Sequence, residues 1–270
     1  MPSYVITGAS RGIGLEFVRQ LSTSADNVVF GLVRNKATAT KLFDLARDAP
    51  HSNVHILQAD VLDLKALKAA AEEVSKVTGG SLDYLINNAA YLEVERRNLL
   101  LDEYPADLVD KDIVDSIRVN VVGVIHTTNA FLPLLRVSSA QPAKVISLGS
   151  GLSDPDFTVS TGFASSAPYA ISKAALVLTI AKYAAEYKDQ NVAFITISPG
   201  LVDTRGAQPT PELIREYEII SEKIKNVYPD WEGKPLTPEQ SVRMMLKVLS
   251  GLGMQDTGAF ISHFGNKKWV

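Results

Sequence analysis

The chain predicts an α/β fold, a doubly wound parallel sheet of about seven strands with helices on both faces. Three observations carry that prediction. Short apolar runs alternate with longer amphipathic stretches along nearly all of the 270 residues, the pattern of repeated β-α-β units. Runs such as Val28-Val29-Phe30, His55-Ile56-Leu57, Tyr84-Leu85-Ile86 and Lys144-Val145-Ile146 do not alternate apolar with polar, so both faces of those strands are expected to be covered. A glycine-rich turn separates the first apolar run from the first amphipathic stretch.

In chain order, Tyr4-Val5-Ile6 starts the first strand and residues 13–24 carry helical spacing. Residues 27–33 read as the second strand and 37–47 as a helix, then 54–58 as the third strand and 64–77 as a helix. Residues 82–86 are the fourth strand, followed by one long helix over 111–135. The fifth strand covers 144–148, a helix 170–187, and the sixth strand 192–197. Residues 209–250 look helical, and 258–262 suit a short last strand. Two segments stand outside the alternation: a Ser/Gly/Ala/Pro-rich stretch at 149–168 and a proline-punctuated insertion at 205–236. With no repeat or low-complexity tract, residues 1–270 are expected to form a single domain.

Composition narrows the function classes. The chain is 46% hydrophobic and 21% charged, with a formal charge of 27 − 30 = −3. It has no cysteine, which excludes disulfides, thiolate catalysis, zinc–sulfur sites and iron–sulfur clusters. Near-neutral balance without basic runs argues against nucleic-acid binding. No apolar stretch approaches the 18 or so residues of a membrane span, and Met1-Pro2-Ser3 leads directly into a strand-like segment. A cytoplasmic location is the expectation. The histidines, His51, His55, His126 and His263, show no ligand spacing and are expected to be structural or at the surface, with no metal site. Asp107, Asp110, Asp112 and Asp115 are expected to form a solvated helix face.

The turn after the first strand reads Thr7-Gly8-Ala9-Ser10-Arg11-Gly12-Ile13-Gly14. Glycine supplies positive φ and lets backbone approach a phosphate, and the following helix start offers unpaired N–H groups to that anion. A merely tight strand-to-helix turn is the plainer alternative. Arg11 lies inside the turn, and Arg34 follows the second strand, where NAD-binding sheets place an acidic residue for the ribose diol. The stretch Leu32 to Lys36 holds no carboxylate, and an arginine there suits a 2′-phosphate, favouring NADP(H) over NAD(H). Two solvated surface arginines would read the same way. Further along, Tyr169 and Lys173 stand four apart, on one face of a helix, where phenol and ammonium can meet.

With these motifs in place, the chain resembles the short-chain dehydrogenase/reductase family over essentially its whole length, and among its subgroups the fungal and C-factor-like NADPH-dependent ketoreductases. The resemblance implies a Rossmann-type fold. It also implies a cofactor site at Gly8, Ser10, Arg11, Gly12, Ile13 and Gly14, with Arg34, Asp60 and Val61 toward the adenosine half. Asn88 and Ala89 lie in Asn87-Asn88-Ala89-Ala90, which resembles the family's NNAG with Ala90 in place of glycine. Pro199, Gly200, Val202 and Thr204 match the segment that contacts the nicotinamide carboxamide. Asn120, a serine, Tyr169 and Lys173 are the implied catalytic set. The family's double serine is absent: Ser147 falls within the fifth strand and Ser150 just beyond its end, where the catalytic hydroxyl sits, so Ser150 is preferred with Ser147 as the alternative. The gap to Tyr169 is longer than usual, and its excess residues 154–166 are expected to form a loop at the substrate mouth.

The implied chemistry is reversible carbonyl reduction. A free tyrosine titrates near 10, and lowering it by two to three units takes roughly 3–4 kcal/mol from Lys173 and the nicotinamide charge. Tyr169 would then donate a proton while Ser150 holds the carbonyl oxygen, Lys173 binds the nicotinamide ribose, and Asn120 holds a water linking Lys173 to solvent. Residues 205–236 occupy the place of a substrate lid. There Tyr217, Ile219, Ile220, Tyr228 and Trp231, with Leu152, Phe157 and Phe163, would suit a medium-to-large apolar, polyketide-like carbonyl compound, or else simply pack the lid. The helices near 111–135 and 170–187 resemble those through which relatives pair, so a homodimer or homotetramer is expected. A non-redox dehydratase or epimerase, or an NADP-sensing protein without turnover, are the competing readings.

Overall fold

A computed structural model describes residues 1–140, 142–205 and 211–270. Seven strands form one sheet in the order 3-2-1-4-5-6-7: β1 (Ser3–Thr7), β2 (Val28–Val33), β3 (Val54–Gln58), β4 (Tyr84–Asn87), β5 (Ala143–Leu148), β6 (Val192–Ser198) and β7 (Phe260–Ser262). Every neighbouring pair is parallel. The winding reverses between β1 and β4, which opens a crevice beyond their carboxyl ends. This is the Rossmann-type doubly wound sheet.

Consecutive strand residues serve opposite faces, which is why the strands are apolar throughout. Val5, Leu85, Val145 and Phe194 pack on α3 (Leu64–Thr78), α5 (Gly123–Leu135) and α7 (Ala167–Glu186) through Leu67, Val74, Phe131, Leu135, Leu176 and Ile180. Their neighbours Ile6, Ile86, Ile146 and Ile195 pack on α1 (Gly12–Leu21), α2 (Thr40–Asp48) and α9 (Pro238–Gly251) through Phe17, Val18, Leu42, Val242 and Met245. Local signals set the helix ends. The Asp63 side chain caps α3 by accepting from the Ala66 N–H, and α3 stops at Gly79 with φ 70°. Thr237 and Gln240 cap α9 reciprocally, ahead of Pro238.

Four expectations need revision. The helix expected over 37–47 is a 3₁₀ turn (Lys36–Thr38) followed by α2. The long helix expected over 111–135 starts earlier, as α4 (Ala106–Ile117), and passes through a π turn (Arg118–Val122) before α5. The loop expected over 154–166 contains a helix, α6 (Pro155–Thr161), capped by the Asp154 carboxylate on the Phe157 N–H. The region 209–250 is two helices, α8 (Pro211–Lys225) and α9, with a bend between them. Of the lid segment 205–236, residues 206–210 lie outside the described ones. Among the described residues no helix is long and apolar enough to cross a membrane, and no cluster of His, Asp and Glu could hold a metal ion.

Candidate active site

The glycine turn lies at the crevice, and its three glycines are there for different reasons. Gly8 and Gly12 have φ 67° and 58°, which side chains disfavour. Gly14 is needed for space: a Cβ there would stand 2.4 Å from both the Gly8 carbonyl oxygen and Asn88 Nδ2. Asn88 fastens the turn, its amide donating to the carbonyls of Thr7 (2.9 Å) and Gly8 (3.2 Å). The Asn88 and Ala89 N–H groups both donate to Thr7 Oγ1 at 3.0 Å. Thr204 lies against Gly12, 3.3 Å from where its Cβ would be.

That cradle fits a dinucleotide. No side chain caps the amino end of α1, and its first turn holds no acidic residue, so its N–H groups face the crevice free for an anion. Arg11 and Arg34 are exposed, and neither has a carboxylate partner among the described residues. Asp60 follows β3, where its Oδ1 accepts from the Leu62 N–H at 2.9 Å, and half-buried Val61 packs against Gly123. Ser10 and Ile13 are half-buried on the turn. At the far side, Ser241 donates to the Pro199 carbonyl at 2.7 Å. Gly200 takes φ 82°, and His263 packs directly over it. Val202 bridges to Leu236, which joins the chain before segment 205–236 to its last residue.

Tyr169 and Lys173 lie on the first turns of α7, with the Lys173 ammonium 5.6 Å from the centre of the Tyr169 ring. Lys173 is buried and donates from Nζ to the Leu148 carbonyl at 2.7 Å, which ties it to the end of β5. Burial lowers it to about 8. Burial also raises the Tyr169 phenol to about 12, while a hydrogen bond with Ser150 pulls the other way. The expected lowering draws on Lys173 and the nicotinamide charge together; in the protein by itself the phenol stays high. The ammonium is turned to a carbonyl and over the ring face, and desolvation dominates.

Ser150 is the hydroxyl beside the phenol. Ser147 is buried within β5, where it accepts from Asn87 Nδ2 at 3.4 Å. The Asn120 side chain is spent: Oδ1 accepts from the Tyr91 N–H (2.7 Å), and Nδ2 donates to the Tyr91 carbonyl (2.9 Å) and to Ser172 Oγ (2.8 Å). It clamps the chain after β4 to α7 instead of offering a free amide to water.

The surroundings of the site correct one expectation and decide another. Asp112 is wholly buried and forms a two-pronged ion pair with Arg96 at 2.7 and 2.9 Å, not a solvated face. Segment 91–104, which carries Arg96, also holds α7: Ser166, in the left-handed region at φ 59°, donates from its N–H to the Arg97 carbonyl at 2.7 Å. Phe157, Ile224 and Trp269 form a buried cluster on which Leu152, Ile220, Tyr228 and Trp231 pack. Most of the expected mouth aromatics therefore pack on one another, the alternative left open by the sequence, while Ile219 is exposed and Arg205 hydrogen-bonds and stacks on Tyr217. Trp269 and the Arg96–Asp112 pair escaped sequence reasoning, because neither belongs to a motif.

Comparison with known proteins agrees with this geometry. The family model for short chain dehydrogenases matches residues 3–213. The short chain dehydrogenase virK of Hypocrea virens is 42% identical over 277 residues, covering 100% of both chains. The short-chain dehydrogenase/reductase AacuF of Aspergillus aculeatus is 41% identical, also over 100% of both. Among solved structures, the NADPH-bound carbonyl reductase from chicken fatty liver superposes with a TM-score of 0.79 at 27% identity, over 98% of each chain. A parallel sheet with a glycine cradle at its switch point, a Tyr/Lys pair on α7 and whole-length relatives of one kind lead to one conclusion: the chain belongs to the short-chain dehydrogenase family.

Proposed function

We propose that the protein is an NADPH-dependent carbonyl reductase acting reversibly on a ketone/alcohol pair. The observation that carries this reading is the convergence of Ser150, Tyr169 and Lys173 at the end of β5, beside a crevice whose glycine cradle fits a dinucleotide. Gly8, Gly12, Gly14 and the open start of α1 would hold the pyrophosphate, Asp60 and Val61 the adenine end, and Pro199, Gly200, Val202 and Thr204 the nicotinamide end. The exposed Arg11 and Arg34 would hold the 2′-phosphate, which a carboxylate at either place would repel. When bound, a reduced nicotinamide supplies the hydride.

The residues supply the rest. Ser150 donates a hydrogen bond to the substrate oxygen, and Tyr169 gives that oxygen its proton. A phenol held above its usual range keeps its proton at neutral pH, as a donor must. The Lys173 ammonium, 5.6 Å from the centre of the Tyr169 ring, would favour the phenolate left behind and ease the transfer. The whole chain serves as one domain, with 205–236 as its lid over a medium-to-large apolar carbonyl compound. A second copy of this chain is the expected macromolecular partner.

A panel of carbonyl compounds with NADPH and NADH, followed by cofactor absorbance, tests the reading. Tyr169→Phe is expected to lower turnover by about 10²–10⁴-fold while leaving NADPH binding intact. Undiminished turnover would remove Tyr169 from the chemistry, and equal efficiency with NADH would remove the role of Arg11 and Arg34.

A further inference from the structure

Ser150 stands between two glycines, and both are pressed by aromatic rings. A Cβ on Gly149 would stand 2.7 Å from Thr196 Cγ2 and 3.0 Å from the Phe260 ring. A Cβ on Gly151 would stand 2.7 Å from Trp269 Cβ and 3.0 Å from its ring. Phe260 and Trp269 are themselves stacked, with centroids 4.4 Å apart and planes 25° from parallel. The backbone is gripped from β6 as well: the Gly149 N–H donates to the Ile197 carbonyl at 2.9 Å and the Gly151 N–H to Ser198 Oγ at 3.1 Å.

Trp269 is 97% removed from solvent and reaches beyond this platform. It shares its cluster with Phe157 of α6 and Ile224 of α8, and Tyr228 and Trp231 of the lid pack onto the same group. The indole thus lies against the serine segment on one side and belongs, on the other, to the cluster that carries segment 220–231. Among the described residues no hydrogen bond or charge at the site requires a tryptophan there; the lack of a side chain on Gly151 admits the indole, and its lack on Gly149 admits the Phe260 ring beneath it.

Resting on the reading of Ser150 as the hydroxyl that holds the substrate oxygen, we propose that Trp269, stacked on Phe260, is the positioning residue that sets Ser150 against Tyr169 and couples that setting to the docked lid. A displacement on the order of 1 Å at a reacting group costs up to about 100-fold in rate, so loss of the platform should register in kcat. The cofactor cradle lies at β1 and α1 and should be indifferent to it.

The experiment compares full-length wild type with Trp269→Ala, Trp269→Phe and Gly151→Ala in three measurements: NADPH affinity, kcat and KM on the best compound of the panel, and backbone hydrogen exchange. Trp269→Ala is expected to lose about 10–100-fold in kcat with NADPH affinity within about threefold of wild type. Trp269→Phe, which restores a ring for Phe260, is expected to recover most of that loss. Hydrogen exchange in Trp269→Ala should quicken together at 149–157 and 220–231 while 12–21 stays protected. If Trp269→Ala fails to fold, Gly151→Ala decides: it keeps the indole but displaces it, and should lower kcat with NADPH still bound. Wild-type kcat in a folded Trp269→Ala or Gly151→Ala, or exchange that quickens only after residue 263, would overturn the proposal. The exchange measurement needs no turnover, so a wild type that reduces nothing in the panel counts against the reductase reading, and coupled exchange would still uphold the link between serine segment and lid.

Discussion

Tyr169 and Lys173 show opposite consequences of the same burial: the phenol is pushed up to about 12 and the ammonium down to about 8. Reduction requires the phenol protonated and the lysine charged, so its kcat/KM should hold level through neutrality and decline as pH rises past about 8. A pH series from 6 to 10 or so checks this, and a decline first setting in near 10 would assign the limb to another group. His263 makes the second prediction. It is buried over Gly200, and burial lowers it to about 4 against its usual 6.5. The unfolded chain then binds a proton below 6.5 that the folded chain refuses until about 4, so stability is complete above 6.5 and is lost as pH falls between the two. The share of this one group is at most about 3 kcal/mol, and His263→Phe should flatten the acid limb of urea-unfolding stability accordingly. Residue types with a motif behind them were legible in the sequence: Gly14, Tyr169 and Lys173 stand where the pattern puts them. Asp112 was not, since its partner Arg96 is 16 residues away on a segment with no regular spacing.

Elements were legible wherever periodicity was strong, and the misreadings have physical causes. The helix over Pro155–Thr161 is too short for periodicity to register, yet Asp154-Pro155 is a cap followed by a first-turn proline, a signal composition alone had masked. The segment between β4 and α4 has no periodicity at all, and its order comes from Arg96, which joins Asp112 on α4 to the chain that pins Ser166. Arg96→Met should therefore lower the urea midpoint of unfolding, because it leaves the buried Asp112 carboxylate without its partner. Arg96→Lys, with one prong in place of two, should cost less. For the first turn, Gly14→Ala is expected to abolish NADPH binding measured by fluorescence, since the added methyl must displace Asn88 or the Gly8 carbonyl.

At the scale of the whole molecule, α5 and α7 share a groove lined by Ile125, Leu132, Pro133, Tyr183 and Tyr187, beside which Leu178 is 62% exposed. This is the face on which a second copy is expected to sit. Sedimentation should return a multiple of 29.3 kDa, and Leu178→Glu should shift it to the single-chain mass. A wild type that sediments as one chain would dismiss the pairing. The parallel sheet and its two helical layers were legible because continuous apolar strands admit few alternatives, whereas the inner packing of segment 205–236 was not: aromatic residues there carry no mark of whether they face a ligand or one another.

The π turn at Arg118–Val122 has a consequence for the whole helical layer. One surplus residue wound into a turn rotates everything after it by about 100° relative to an uninterrupted helix. The amino half, α4, thereby lies against α7, while the carboxyl half, α5, lies against α3 and β4. A single deletion within 118–122 would bring the two halves back into phase, turn the inward amide of Asn120 off Tyr91 and Ser172, and leave one stripe to answer to two incompatible neighbours.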